Sequence, residues 1–299
     1  MRLWLAYWSV VLIWATTPIA ISSSNHSLHF LEAGGLRMIL AATILVILCR
    51  ILSKPLLPNK LVLKNYAVAS IGLFPNMALV YWGAQYVPSG VLSVIFAFNP
   101  VVIGVLSWLV LKDNPFTPLR VLALGLSVVG MAVIYLDQLN ISDASAWGIA
   151  ALLAAVLGWG SSTVWLVKMN MQVDPMSQAA GMTLFALPGY FFTWLLLDGT
   201  MPTAISLPST AGVLYLAVFG SVVGFSLYFY ILGKMPVMNI SLITLMSPVL
   251  ALIIGAVFAG ERMSLQLAGG SAIVLVSLLL YQSAPILKRI NRLSLRRVQ

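Results

Sequence analysis

The sequence predicts an all-α integral membrane protein with ten transmembrane helices, arranged as two inverted five-helix repeats. Its 299 residues are 61% hydrophobic and only 8% charged, whereas soluble chains are about 45–50% apolar and about 25% charged. Apolar runs of roughly 17 to 25 residues, enough for a helix to cross about 30 Å of hydrocarbon, recur along the chain. One segment, Phe98 to Phe116, returns in similar form 148 residues later as Met246 to Ser264. We therefore expect most of this chain to lie in lipid.

The predicted spans follow each other with short connections. In chain order they are residues 4–21, 30–51, 63–86, 89–111, 118–136, 146–168, 175–197, 209–232, 238–259 and 264–284. The connections carry turn residues, as in Val87-Pro88-Ser89-Gly90 and Asp198-Gly199-Thr200. The chain is accordingly divided into a first five-helix repeat at 1–140, a second at 141–287 and a basic tail at 288–299.

The distribution of charge predicts the orientation of the spans. If the N-terminus is cytoplasmic, 14 of the 16 Lys and Arg residues lie in inner loops and tails, with Arg262 outside and Arg37 within the second span. Such an excess of cytoplasmic Lys and Arg is typical of membrane proteins. Adding or removing one span would exchange the sides of all downstream groups. The sequence therefore predicts ten spans in a bacterial inner membrane, with both termini cytoplasmic.

The first span has an alternative interpretation as a cleaved signal peptide, with Arg2 ahead of the apolar run and small residues near 20–24. Against this stands a similarity to the sixth span. Trp14-Ala15-Thr16-Thr17 resembles Trp159-Gly160-Ser161-Ser162. We therefore interpret the first span as the repeat partner of the sixth.

Five spans in each repeat is an odd number, so the second repeat must enter the bilayer from the opposite face. In proteins built this way a pseudo-twofold axis lies in the membrane plane, and the substrate site lies near the midplane where the halves meet. Rocking one half against the other exposes such a site to each side in turn. The repeat therefore predicts a transporter that works by alternating access.

Several motifs carry a resemblance to a known family. Tyr228-Phe229-Tyr230, Pro248 and Gly260-Glu261-Arg262 form one pattern, and Gly35-Leu36-Arg37 another. Together they resemble the drug/metabolite transporter superfamily, specifically its ten-helix EamA-type exporters, over the whole chain. The chain departs from that pattern at Ala15, where the family usually has glycine, and at Asp113, where it has glutamate. Within the superfamily the chain is more similar to the YddG type of amino-acid exporter than to the sugar-phosphate carriers.

Polar and aromatic side chains at mid-span depth are the candidate substrate-binding residues, because polar groups in lipid must find partners or line a wet cavity. The candidates are Trp14, Thr17, Asn76, Tyr81, Asn99, Trp159, Ser162, Tyr228 and Ser247. For each serine and threonine, a bond to its own helix carbonyl or a packing role is the favoured alternative. For the two asparagines, pore lining and interhelical bonding are equally favoured. The two tryptophans could close around a substrate or simply pack in the core.

Prolines and glycines predict where helices bend or approach closely. Pro100 and Pro248 are hinge or kink candidates at equivalent points of the two repeats. The other interrupting prolines within predicted spans are Pro18, Pro75 and Pro188. The four-residue spacing of Gly220 and Gly224 predicts close helix packing.

The sequence lacks several groups that particular classes of transporter and enzyme require, and this narrows the possible functions. Phosphate-bearing substrates would need Arg or Lys in the cavity, and Arg37 is the only basic residue well within a span. We expect Arg37 to snorkel or to bond helix ends, with anion binding as the less favoured role. The sequence has no carboxylate at mid-depth for proton coupling and no recognisable enzyme motif. His26 and His29 lie in the first external loop and are interpreted as solvated residues, with metal binding as the alternative.

These observations together predict a transporter and not an enzyme. The expected substrates are small neutral or zwitterionic metabolites, with amino acids first among them. A multidrug or organic-cation exporter of the same fold is the alternative. No cofactor, metal or nucleic acid is expected, and the expected partners are the substrate and the lipid bilayer, with the protein a monomer or weak dimer.

Overall fold

The computed structural model describes most of the chain. The described residues are 2–56, 59–96, 98–112, 117–139, 143–197, 199–200, 202, 204–235, 243, 250 and 264–295. Every regular element among them is helical. The helices are α1 (Arg2–Ser24), α2 (Phe30–Ile51), α3 (Lys60–Ser70), α4 (Asn76–Gly83), α5 (Ser89–Phe96), α6 (Asn99–Leu111), α7 (Pro118–Leu139), α8 (Asp143–Met169), α9 (Pro175–Leu197), α10 (Leu207–Tyr215), the π segment (Leu216–Val223), α11 (Gly224–Leu232) and α12 (Leu265–Leu295).

These helices coincide with nine of the ten predicted spans, and the predicted span 238–259 falls almost wholly outside the described residues. By length and composition, six helical stretches could cross a membrane: Arg2–Ser24, Phe30–Ile51, Val94–Leu111, Ser145–Met169, Pro175–Leu197 and Leu207–Leu232. Two shorter apolar stretches are Pro118–Gly130 and Leu265–Tyr281. The described part of the chain is therefore an all-helical membrane protein.

Three predicted spans are not continuous α-helices. The third is divided at residues 71–75, which form turns between α3 and α4. The fourth is divided before Asn99, and Pro100 stands in the first turn of α6. Proline is tolerated there because the missing N–H would have no helical partner. By contrast, the predicted interruptions at Pro18 and Pro188 do not end their helices, since both residues lie inside α1 and α9.

The eighth predicted span keeps its length but changes its hydrogen-bonding pattern. The π segment lies between α10 and α11, so the span runs from Leu207 to Leu232 as three consecutive helical pieces. Wide π turns in helices are rare and occur frequently at functional sites. This segment packs against α2 and α1.

The centre of the bundle consists of helices from both halves of the chain. α2 packs against α9 and the π segment, α1 against α10 and α11, and α4 and α6 against α8. α7 and α12 pack chiefly against each other. Their contact includes a hydrogen bond between the Ser127 and Ser277 hydroxyls and the close approach of Gly130 to Val274.

Two polar contacts join the halves at opposite ends of the bundle. At one end, which we call the Lys54 end, the Lys54 ammonium lies 2.8 Å from Oδ2 of Asp174. The loop before α9 places Asp174 there, and its other oxygen accepts the backbone N–H groups of Met176 and Ser177. Partial burial raises the pKa of Asp174, but the bonds from Lys54 and these N–H groups outweigh that effect and hold the pKa below its usual range.

At the other end, the Ser27 end, the contact is uncharged. The Ser27 hydroxyl lies within hydrogen-bonding distance, 3.0 Å, of the hydroxyls of both Ser206 and Ser209. The backbone N–H of Ser27 also donates to Ser209, and Ser206 caps α10. The loop after α1 is thereby bound to the start of α10. By the charge count, the Lys54 end is the one expected to face the cytoplasm.

Candidate functional site

Arg37 lies at the centre of the bundle, and the expectation that it snorkels is wrong. It sits in the middle of α2, and only 2% of its surface is exposed. Its Nε donates to the Ser221 hydroxyl over 2.9 Å, and Nη1 makes a longer contact of 3.5 Å with the Tyr81 hydroxyl. Within the described residues, no carboxylate lies within ion-pair distance of the guanidinium. Arg37 is therefore a buried cation with neutral partners.

The π segment places Ser221, and α4 places Tyr81, within reach of Arg37 on α2. Ser221 is fully buried within the π segment, and the neighbouring Gly220 leaves room for the guanidinium. A Cβ atom at Gly220 would lie 3.2 Å from Nη2 of Arg37. The absence of a side chain at Gly220 therefore leaves space for Arg37. This role is additional to the close helix packing that the four-residue spacing of Gly220 and Gly224 predicts.

Beside Arg37 lies an aromatic cluster made of Trp14, Trp159, Tyr228 and Phe225. The ring centres of Trp14 and Trp159 are 5.9 Å apart, edge to face, and Tyr228 lies 5.2 Å from Trp14 and 5.7 Å from Trp159. Phe225 stacks on Trp159 at 6.3 Å, and its ring centre is 5.9 Å from the Arg37 guanidinium carbon. The cluster is thus continuous with the buried cation.

Glycines of the opposite halves provide the surfaces on which the two tryptophans lie. Gly72, in the 71–75 turn, faces the Trp159 ring, which would be 3.1 Å from an added Cβ. Gly224, at the start of α11, faces Ile13 and the Trp14 indole nitrogen, the latter at 3.6 Å from such a Cβ. Each tryptophan therefore packs across the boundary between the halves: Trp159 lies on the turns at 71–75, and Trp14 lies beside the residue that follows the π segment.

Asn76 and Asn99 both point toward α8. Asn76 lies against Gly158, and the Oδ1 of Asn99 would be 3.5 Å from a Cβ atom at Gly160. Both side chains are 2% exposed, and the Oδ1 atom of each is buried without a hydrogen-bond partner among the described residues. Nδ2 of Asn76 donates to the Gly72 carbonyl over 3.4 Å. The structure places both amides at the contact between helices.

The remaining predicted site residues are dispersed. The Thr17 hydroxyl donates to the Ile13 carbonyl of its own helix over 2.8 Å. The Ser162 hydroxyl donates to the Val68 carbonyl over 2.9 Å, which links α8 to α3. Pro100 is buried at the start of α6, away from any interior kink. Ser247 and Pro248 lie outside the described residues.

Sequence reasoning missed the roles of Ser221 and Phe225 and misjudged Arg37. A usable signal was present, since an ionisable side chain inside a transmembrane segment is costly and by default suggests a functional site. A serine within the apolar run of another span could have been its partner. Only the fold, however, selects Ser221 from the many serines of the chain.

The fold and these contacts define a multi-span helical membrane protein with a buried cation and an aromatic cluster at its centre. The model of the EamA-like transporter family matches residues 3–136 and 146–282. The chain therefore belongs to the EamA-like transporter family.

Several relatives of the chain have names that describe them as transporters or efflux pumps. The uncharacterized transporter YvbV of Bacillus subtilis is 27% identical over 91% of this chain and 88% of its own length. Protein PagO of Salmonella typhimurium is 28% identical over 81% and 80%. A probable amino-acid metabolite efflux pump of Escherichia coli is 23% identical over 89% and 90%. One crystal structure of a protein matches 94% of this chain and 97% of its own, with TM-score 0.69 and 16% identity, which shows the shared fold alone.

Proposed function

We propose that the chain exports small zwitterionic metabolites, amino acids first among them, by alternating access across a bacterial inner membrane. In this proposal ten spans form two inverted repeats, residues 1–140 and 141–287, and both termini are cytoplasmic. The substrate binds between the halves, where Arg37 and the aromatic cluster meet.

The buried Arg37 is the observation that carries the proposal. A buried cation is costly unless it is paired, and its described partners are the neutral hydroxyls of Ser221 and Tyr81. A guanidinium also presents more N–H donors than these two acceptors use. A substrate carboxylate would supply the missing charge. Its ammonium and side chain would then lie against the aromatic cluster, whose ring faces attract cations and apolar groups.

Helix contacts support the inverted repeats. Under the repeat, α1 corresponds to α8, α2 to α9, and α3 with α4 to the eighth span. The contact of α4 with α8 then has its counterpart in the contact of α11 with α1. The contact of α2 with α10 likewise has its counterpart in that of α9 with α3. Such exchanged pairs are expected from two halves related by a twofold axis.

The names of the relatives support the substrate class. The chains called probable amino-acid metabolite efflux pumps, from Escherichia coli and Salmonella typhimurium, align with 89% of this chain at 23% and 24% identity. A phosphate group carries a charge of about −1.5 to −2 at neutral pH, which a single guanidinium does not balance. Among the described side chains that contact the aromatic cluster, Arg37 is the charged one.

An organic-cation exporter is the second candidate, and the aromatic cluster is the observation that favours it. Trp14, Trp159 and Tyr228 could surround a quaternary or primary ammonium. Arg37, however, places a positive charge beside Phe225 and would repel a ligand that has no carboxylate. The zwitterion is therefore the preferred substrate.

Flux of three related probes through proteoliposomes tests the proposal. L-Leucine carries both charges, 4-methylpentanoate lacks the ammonium, and 3-methylbutylamine lacks the carboxylate. For Arg37→Gln we expect the half-saturation concentration of leucine to rise about 10- to 150-fold, the effect of losing about 1.5–3 kcal/mol from a charged hydrogen bond. Transport of 3-methylbutylamine should not weaken in the same variant.

Two results would reject this assignment. If the native protein transports 3-methylbutylamine but not leucine, the cation exporter is the correct function. If Arg37→Gln transports leucine with unchanged half-saturation while its melting temperature falls, Arg37 is a structural residue. A Ser226→Ala variant serves as a control for substitution nearby, because the Ser226 hydroxyl is buried without a partner among the described residues.

A further inference from the structure

A cavity lies near the Lys54 end of the bundle, and Arg37 is not among the residues that line it. Its volume is about 210 Å³, and it opens where α3, α8, α9 and α11 converge. Asn65 of α3 and Gln178 of α9 both line it, and Leu166, Phe229 and Leu232 contribute apolar walls. No charged side chain is found among the described residues that line it.

The two amides of this cavity lack partners. Asn65 is 3% exposed and Gln178 is 5% exposed. Oδ1 of Asn65 and Nε2 of Gln178 are fully enclosed, and neither has a hydrogen-bond partner among the described residues. Leaving a buried donor or acceptor unpaired costs about 1–3 kcal/mol, and folded proteins rarely leave such groups unpaired. One unused acceptor and one unused donor at the same cavity indicate a ligand that carries both.

We propose that this cavity is a loading site, where the substrate binds before it reaches Arg37. The inference rests on the proposed function for the identity of the ligand. Asn65 would accept a hydrogen bond from the ligand, and Gln178 would donate one to it. Because the described walls carry no charge, the site suits a small molecule whose charges cancel. A zwitterionic amino acid with an apolar side chain against Leu166 and Leu232 has these properties.

α11 connects the cavity to the aromatic cluster. Phe229 lines the cavity, and its ring centre lies 5.4 Å from that of Tyr228, which in turn contacts Trp14 and Trp159. At 1.5 Å per helical residue, Phe229 and Ser221 are separated by roughly 12 Å along the axis. The aromatic pair on α11 therefore forms the wall between the loading site and Arg37.

Equilibrium binding of radiolabelled L-leucine to the purified full-length protein tests this site. The test variant combines Asn65→Leu with Gln178→Leu, and it is measured both alone and together with Arg37→Gln. In the Arg37→Gln protein we expect leucine binding to persist at the cavity, and the added double substitution should weaken that binding about ten-fold or more. The matched control is Gln85→Leu, which replaces an exposed amide in the loop after α4 and should change nothing.

Thermal stability provides a second readout. Replacing an unpaired buried amide by an apolar side chain of similar size is neutral or stabilising. The double variant should therefore keep or raise its melting temperature while it loses leucine. If the double variant does not fold, Gln178→Glu replaces it, and the new carboxylate should shift preference from leucine to 3-methylbutylamine. Unchanged preference in folded Gln178→Glu protein would overturn the proposal.

The remaining outcomes separate this site from the proposed function. If both the leucine affinity and the half-saturation concentration of flux are unchanged in the double variant, the amides bind only water and the loading site is wrong. If the native protein binds leucine at the cavity but transports none, the proposed export is wrong and the binding site stands. A dependence of flux on Arg37 without dependence on Asn65 and Gln178 would support export and reject this site.

Discussion

The two halves of the molecule interrupt the same span in different ways. In the first half the third span is divided by the turns at residues 71–75, and in the second half the eighth span contains the π segment at 216–223. Adding the repeat offset of 148 residues to 71–75 gives 219–223, which lies inside the π segment. The interruptions therefore occupy equivalent positions. Comparing the two interruptions shows which structural features both halves share and which occur in only one half.

A side chain from the paired helices α2 and α9 reaches each interruption. α9 brings Tyr190, whose hydroxyl donates to the Leu73 carbonyl over 3.3 Å and whose ring lies 5.2 Å from Phe74. α2 brings Arg37, which donates to Ser221. One interruption thus receives a neutral phenol, and the other a guanidinium. The two interruptions therefore occur at equivalent positions, and a single side chain, Arg37, places a positive charge at one of them.

The local causes of the interruptions also differ. Pro75 has no N–H to donate and clashes with the preceding helical turn, so the first half changes to turns and restarts at Asn76. The π segment contains no proline and keeps a helical backbone with wider turns. Its Gly220 and Ser221 can therefore approach Arg37 while the eighth span remains continuous.

The largest effect on stability is expected when Trp159, whose ring packs on the turns at 71–75, is replaced by alanine. Trp159 is 8% exposed, and Trp159→Ala should lower the free energy of unfolding by about 3–5 kcal/mol. Trp14 is only partly buried, so Trp14→Ala should cost less. Thermal unfolding of both variants in one detergent measures this asymmetry. Equal losses would mean that the two interruptions pack their tryptophans equally well.

The second-largest effect on stability is expected at the hydrogen bond between Arg37 and Ser221 of the π segment. Ser221→Ala removes the acceptor of the Arg37 Nε bond, and we expect a loss of about 1.5–3 kcal/mol because the donor is charged. The melting temperature should fall accordingly, and the Ser226→Ala control should remain near that of the native protein. A Ser221→Ala protein as stable as the control would show that Arg37 has other partners.

A smaller loss is expected at the neutral contact of the first interruption. Tyr190→Phe removes one uncharged hydrogen bond to Leu73, which contributes about 0.5–1.5 kcal/mol. Tyr66→Phe is its matched control, because the Tyr66 hydroxyl is buried without a partner among the described residues. If Tyr190→Phe costs as much as Ser221→Ala in thermal unfolding, the charge at the π segment makes no difference to stability.

The smallest effect is expected at the ion pair that joins the end of α2 to the start of α9. Asp174→Asn keeps an oxygen for the N–H groups of Met176 and Ser177 but loses the charge facing Lys54. The pKa of Asp174 is depressed in the fold. Its stabilisation is therefore present above the unfolded pKa, about 3.9, and is lost as the pH falls through the lower folded value.

Melting curves of native protein and Asp174→Asn at a series of pH values check this sign. The two curves should differ slightly at neutral pH and converge in acid. Lys54→Met should behave like Asp174→Asn if pairing is the cause. A difference of the same size at every pH in the series, with no convergence in acid, would assign the effect of Asp174 to the helix cap and not to the pair.

Much of the fold was predictable because lipid imposes long apolar helices. The bounds of the second and seventh spans agree with α2 and α9 to the residue. Trp14 and Trp159 were matched from sequence similarity, and they are in contact. Of the prolines predicted to interrupt helices, Pro75 stands directly before the start of α4 and Pro100 in the first turn of α6, whereas Pro18 and Pro188 lie inside continuous helices. Proline removes one hydrogen bond in every context, but neighbouring helices decide whether the chain can continue.

The sequence by itself determined the number of residues available to cross the membrane, their apolar character and the similarity of the two halves, because these depend on local composition and spacing. The tertiary structure decided which polar groups meet. Arg37 and Ser221 are separated by 184 positions, and no local pattern links an arginine of one span to one serine among many. Only the packing of α2 on the π segment brings the two together, because burial forces a charged group to find a partner in its new surroundings.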